Sequence, residues 1–219
     1  MFDRVQSNVF QSDVEAPRQM EGAQAEPLAA AVINASEHPV HVVRDWIKLE
    51  YDLFSSGQDM RMEPFNGPRD FVLQMGRDFP SRPLPKGVRR RLPRQCFHNA
   101  ASLALRRPKE FLYAEGYAFT KGLCTEHAWC IDREGNAVDI TWRDDAAKHY
   151  FGVPFLHSYV RRQAREQGEL GGLINVWDGP ERWPLCTGAH PLAEAVADPV
   201  EWLNPEVGVA QLEGESLCR

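Results

Sequence analysis

The chain has 219 residues, 43% of them hydrophobic and 26% charged, and a net charge of −6. That length and apolar content suffice for one well-cored domain, while the acidic balance argues against a dedicated binder of nucleic acid or anionic membrane. No apolar stretch reaches the roughly 18–20 residues that a membrane helix needs.

The start, Met1-Phe2-Asp3-Arg4-Val5-Gln6, lacks the charged and then apolar pattern of a Sec signal. Five cysteines at irregular spacing favour reduced thiols over a disulfide framework. Together these features point to a cytoplasmic protein, although a chain exported by a non-Sec machine would read the same way.

Residues 1–35 are rich in Gln, Glu, Ala and Asp without a period and read as a tail. A helix is expected after Ser36, with His38-Pro39 in its entry turn and Val40, Val43, Trp46, Ile47, Tyr51 and Leu53 near helical spacing. A second helix fits Asn66 to Phe79, with Pro68 in its first turn. Pro80 to Pro93 is too broken by proline to be regular. The apolar run opened by Cys96 predicts a helix ending before Pro108, and Phe111 to Phe119 predicts a strand.

Strands carrying His127 and Asp139 should follow, joined through Asp132-Arg133-Glu134-Gly135. Trp142, Tyr150, Phe151 and Phe155 read as core. Tyr159 to Gln167 reads as an exposed basic helix closed by Gly168, Ile174 to Trp177 as a short strand, and Leu192 to Leu203 as a weak helix. The expected organisation is a single α+β domain over about 36–205, helical in its N-terminal half, with an acidic tail at 206–219.

The chemistry concentrates in three residues. Asp132 and Gly135 hold the first and fourth positions of a type I turn, the pattern of a three-residue hairpin loop that ends in a left-handed glycine bulge. If Asp132 pairs with Asn136, residue 129 faces 139 and 127 faces 141, so His127, Trp129, Asp139 and Thr141 share one sheet face. His127 and Asp139 then become diagonal neighbours, with α-carbons roughly 7–8 Å apart. A two-residue turn would instead put them on opposite faces.

Cys96 at a helix N-terminus sits where unpaired N–H groups and partial positive charge favour a thiolate, the nucleophilic form. His127 can hold the proton and return it to a leaving group. Asp139 can fix the imidazole's tautomer. The backbone N–H of Cys96 is one oxyanion donor, and Gln95 or Trp129 is a candidate for the second.

Cys96 opening its helix, then His127-Ala128-Trp129, then Asp139-Ile140-Thr141-Trp142, resembles the transglutaminase-like branch of the papain-like cysteine fold. The resemblance covers roughly residues 93–143. It implies a nucleophile helix packed on a small antiparallel sheet, and acyl chemistry on an amide or thioester: hydrolysis, deamidation or transfer to an amine. Ile140 stands where the family carries proline. Arg90 stands where papain-type proteases place a glutamine, which points away from a standard protease of that type.

Other readings compete. Cys96 alone could be a buried core thiol. Cys124, His127 and Cys130 invite a zinc site, but on an extended strand the two cysteines face one way and the histidine the other; no metal and no cofactor is expected. Arg82, Lys86, Arg89, Arg90, Arg91 and Arg94, without an intervening acid, form either a solvated connector or a positive lip. As a lip they could let the fold serve as a non-catalytic module holding an acidic protein. The expected partner of the enzyme is a protein or peptide amide, without membrane and without nucleic acid.

Overall fold

The computed structural model describes residues 41–55, 63–144, 146–176 and 182–204. The expected tails at 1–35 and 206–219 and the entry turn at 38–39 lie outside these residues. Two helices, α1 (Val42–Ser55) and α2 (Pro68–Met75), precede strand β1 (Arg77–Phe79). Helix α3 (Cys96–Arg106) follows the connector, and then come strands β2 (Leu112–Thr120), β3 (Leu123–Ile131), β4 (Ala137–Val138) and β5 (Lys148–Phe155). Helices α4 (His157–Gln167), α5 (Leu192–Ala195) and α6 (Pro199–Leu203) complete the described chain.

The strands form one five-stranded sheet in the order β1-β5-β2-β3-β4, with every named pair antiparallel. This makes the chain α+β. Alternation along the strands sends Tyr113, Glu115, Tyr117, Ala128, Cys130, Phe151 and Val153 to one face, against α1 to α4. Cys130 Sγ donates to the Ala100 carbonyl at 3.3 Å and ties α3 to that face. The opposite face carries Phe79, Ala114, Ala118, Trp129, Ile131 and Tyr150, packed with Ala197. Among the described residues no helix is long and apolar enough to cross a membrane.

Several elements depart from expectation for local reasons. The second helix stops at Met75, because Arg77–Phe79 pair with Tyr150–Gly152 and complete the sheet edge. β5, which sequence reading does not anticipate, lies second in the sheet even though it contains Gly152 and Pro154. Gly152 is required by close approach: a Cβ there would meet the Trp129 ring at 2.7 Å. Pro154 is tolerated because β1 pairs only as far as Gly152, so the missing N–H leaves no ladder partner unpaired on that side.

Ile174 begins no strand. The backbone N–H groups of Leu173 and Ile174 are spent on the Glu115 carboxylate. Leu192 to Leu203 is two short helices, split where Ala197 N–H donates to the Pro154 carbonyl at 3.0 Å. α4 begins two residues earlier than expected and buries Tyr159, Val160 and Gln163, so only part of it is exposed.

The connector is irregular, as its prolines predict, but it is not merely solvated. Arg82 N–H donates to the Ala137 carbonyl and Arg91 N–H to the Ile140 carbonyl at 2.8 Å. The Arg82 side chain pairs with Asp132 and Glu134. These contacts lay the connector alongside residues 137–140 and so beside the candidate site.

Candidate functional site

The hairpin between β3 and β4 has the register that its turn chemistry predicts. Asp132 N–H donates to the Asn136 carbonyl at 3.0 Å, and Ile131 pairs with Ala137 and Cys130 with Val138. Gly135 supplies the left-handed residue of the loop at φ 82°, a conformation in which a side chain is strained. The ladder then ends at Val138, so Asp139 is not on a strand, contrary to expectation. It starts a tight turn in which its own Oδ1 accepts the N–H groups of Thr141 at 2.7 Å and Trp142 at 3.1 Å. Asp and Asn side chains commonly compete with the ladder in this way.

That turn aims the other carboxylate oxygen at β3. His127 Nε2 lies 2.9 Å from Asp139 Oδ2, with the two residues 2% and 3% exposed. The Tyr150 hydroxyl donates to the same oxygen at 2.9 Å. Burial alone would raise the Asp139 pKa, but its hydrogen bond to His127, the charge of His127 and the two backbone N–H groups hold it below the ordinary carboxylate value of 3.8. The carboxylate is therefore ionised and can only accept, which makes His127 Nε2 the donor.

Burial pulls His127 down, yet its hydrogen bonds to Asp139 and Cys96, with their charges, raise it to about 9. With Nε2 committed to Asp139, Nδ1 is the nitrogen left for Cys96. The indole of Trp142 stacks on the imidazole, 4.0 Å between centroids and 23° from parallel.

Cys96 is the first residue of α3 and is half-buried. The first helical bond runs from Asn99 N–H to the Gln95 carbonyl at 2.8 Å, so the N–H groups of Cys96, Phe97 and His98 lie ahead of the helical ladder. The residue two before Cys96, Arg94, holds φ 64° without being glycine, a strained turn that launches the helix. Asn99 then fastens the first turn of α3 to the Asp139 loop: its Nδ2 donates to Thr141 Oγ1 at 3.1 Å and to the Leu92 carbonyl at 2.8 Å. Helix, strand and loop are thus cross-linked around one imidazole.

The two candidate oxyanion donors separate. Gln95 is exposed at the N-cap position, and its side chain does not cap the helix. Trp129 is fully buried against Phe79 and Tyr150, and its indole N–H has no partner among the described residues. It has no surface to offer a substrate, which corrects its candidacy. The zinc reading fails on placement: Cys124 and Cys130 pack with the α3 face, and His127 is held on the other side by Asp139. Burial pushes the Cys124 and Cys186 thiols up to about 12 and raises Cys130 as well.

Sequence reading misses three residues here. It assigns Tyr150 and Trp142 to the core, and it does not single out Asn99. Trp142 closes the Asp139-Ile140-Thr141-Trp142 motif, but the motif gives it no role, and no spacing marks Tyr150 or Asn99, whose roles arise from cross-sheet and helix-to-loop contacts.

A second buried acid, Glu115, lies on the α3 face. It accepts from Tyr113 OH at 2.9 Å, Leu173 N–H at 2.7 Å and Ile174 N–H at 2.9 Å, and burial raises it to about 7 against those hydrogen bonds. It pins the segment that passes Phe97, the neighbour of Cys96.

Comparison with protein-family models, curated proteins and solved structures finds no match to this chain.

Proposed function

We propose that this protein is a cysteine-nucleophile enzyme acting on an amide or thioester carbonyl, built on a papain-like, transglutaminase-like core. The observation that carries the reading is the buried His127–Asp139 pair, with Cys96 as the second partner of the same ring at a helix start. A histidine raised to about 9 is protonated at neutral pH, which suits a thiolate–imidazolium pair.

In the first step the Cys96 thiolate attacks the carbonyl carbon and forms a C–S bond. The oxyanion faces the free N–H groups at the start of α3. Imidazolium Nδ1–H protonates the departing amine or thiol as its bond to carbon breaks. In the second step neutral His127 takes a proton from water or an amine as it attacks the thioester carbon; the C–S bond then breaks and Cys96 leaves as the thiolate that pairs again with the imidazolium. Asp139 keeps the ring in the required tautomer throughout, and Trp142 covers one ring face.

The test uses an activated acetate ester as a minimal acyl donor, with intact-mass spectrometry. The expected product is an acetyl group on Cys96, absent in Cys96→Ala and slow to form in His127→Ala. Acetylation at Cys124 or Cys186 in preference to Cys96 overturns the reading. A non-catalytic module holding an acidic partner is the second reading, favoured by the basic surface along the connector. It predicts an inert Cys96 thiol that is indifferent to His127.

A further inference from the structure

A groove of about 460 Å³ opens beside the site, walled by three segments far apart in sequence. The connector contributes Arg90 and Arg91, the two-residue turn between β2 and β3 contributes Lys121, and the Asp139 loop contributes Thr141, Trp142 and Arg143. Two of these belong to the site itself: Trp142 stacks on His127, and Thr141 bonds to the first turn of the Cys96 helix. The groove therefore adjoins the Asp139 loop, on the outer side of the residues that hold His127 and the Cys96 helix.

Its charge is one-sided. Four of the lining residues are cationic, and none of the described lining residues is acidic. The acid beside it, Asp144, is already shared between Arg90 and Lys148. Arg91 and Arg143 are exposed and make no ion pair with the described residues. Arg91 also lines a smaller hollow of about 200 Å³ together with Arg89 and Arg106, so the positive surface continues along the connector. All this sits on a chain whose net charge is −6.

A local cationic wall attracts ligands that place negative charge at that one spot. The groove is too small for a duplex.

We propose that the acyl donor is an amide within an acidic peptide segment, with carboxylates beside the reacting residue seated toward Arg91 and Arg143. The inference rests on the acyl-transfer reading of Cys96 and adds the substrate class.

Binding tests it without turnover. The full chain carrying Cys96→Ala is titrated, by fluorescence anisotropy, into a Gln-containing peptide flanked by Glu and Asp, and into the same peptide with Gln and Asn at the flanks. The acidic peptide should bind about tenfold more tightly, as expected for two or three exposed charge pairs. The preference should shrink as salt rises from about 50 to about 300 mM, where screening sets in over a few ångströms. Arg91→Ala with Arg143→Ala should remove most of it.

A second measurement uses the unaltered protein: Cys96 should favour anionic iodoacetate over neutral iodoacetamide relative to a free thiol. Equal binding of the two peptides overturns the proposal, and so does tighter binding of an equally charged single-stranded oligonucleotide. If iodoacetamide labelling of Cys96 does not depend on His127, the acyl-transfer reading fails, while the peptide preference is judged on the binding data alone.

Discussion

Replacing Asp139 by asparagine changes one atom and removes the charge on which the site depends. In the native protein Oδ2 receives both His127 Nε2–H and the Tyr150 hydroxyl, and Oδ1 receives two backbone N–H groups. The amide introduced by Asp139→Asn keeps one carbonyl oxygen for the backbone donors and presents an NH₂ where two donors already point. The imidazole then accepts at Nε2 and carries its proton on Nδ1, the wrong tautomer for taking a proton from Cys96. The His127 shift from 6.5 to about 9 corresponds to about 3 kcal/mol of preference for the imidazolium. With the Asp139 hydrogen bond and charge gone, only Cys96 still opposes burial, so the ring should titrate well below 9.

Alkylation of Cys96 at pH 7 should then slow by up to about 10²-fold, the limit set by the whole shift at tenfold per ~1.4 kcal/mol. NMR titration of the His127 ring nitrogens is the direct assay. The sign for stability follows from the same shift. A histidine raised on folding stabilises the native state fully below 6.5, and that contribution is lost as pH rises toward 9. Wild-type urea midpoints should therefore carry a downward slope over that window which Asp139→Asn lacks. A variant whose His127 still titrates near 9, or whose Cys96 labels at the wild-type rate, would refute the reasoning.

Tyr150→Phe removes one of four donors to Asp139. It should cost about 1 kcal/mol in urea unfolding and slow Cys96 alkylation severalfold, and an unchanged rate would show that Asp139 is held by the backbone alone. Gly135→Ala forces a side chain into φ 82° and should lower stability by about 1–2 kcal/mol, read from the urea midpoint; a neutral result would mean that the loop relaxes to another turn. Glu115 has the opposite linkage to Asp139. Its pKa rises from 4.5 to about 7 on folding, so stability is lost as pH rises through that window. Glu115→Gln should flatten the midpoint between pH 4.5 and 7, while costing about 1–3 kcal/mol because the amide cannot accept all three donors.

The parts of the site legible in the sequence are those written in local chemistry. Asp132 and Gly135 specify a turn, the turn specifies a register, and the register brings His127 near Asp139. The helix at Cys96 is readable from its apolar run and from Pro108 beyond it. What stays hidden depends on partners remote in the chain. β5 breaks the alternating pattern with Gly152, which the close approach of Trp129 requires, and with Pro154, which the short reach of β1 tolerates. Tyr150 reads as core because nothing near it in sequence reveals that its hydroxyl meets Asp139 across the sheet. The turn that takes Asp139 off its strand is an Asp preference visible in principle, but the expected hairpin masks it. The cationic groove needs three segments to be brought together, of which only the connector is conspicuous.

The central claim is that Cys96, among five cysteines, is activated by His127. Limiting iodoacetamide near pH 7, followed by peptide mass spectrometry, measures it on the native protein. The account predicts that Cys96 is labelled well ahead of Cys124, Cys130 and Cys186, whose thiols burial holds protonated, and that His127→Ala abolishes this lead. Preferential labelling of Cys124 or Cys186, or a Cys96 rate untouched by the loss of His127, would contradict it.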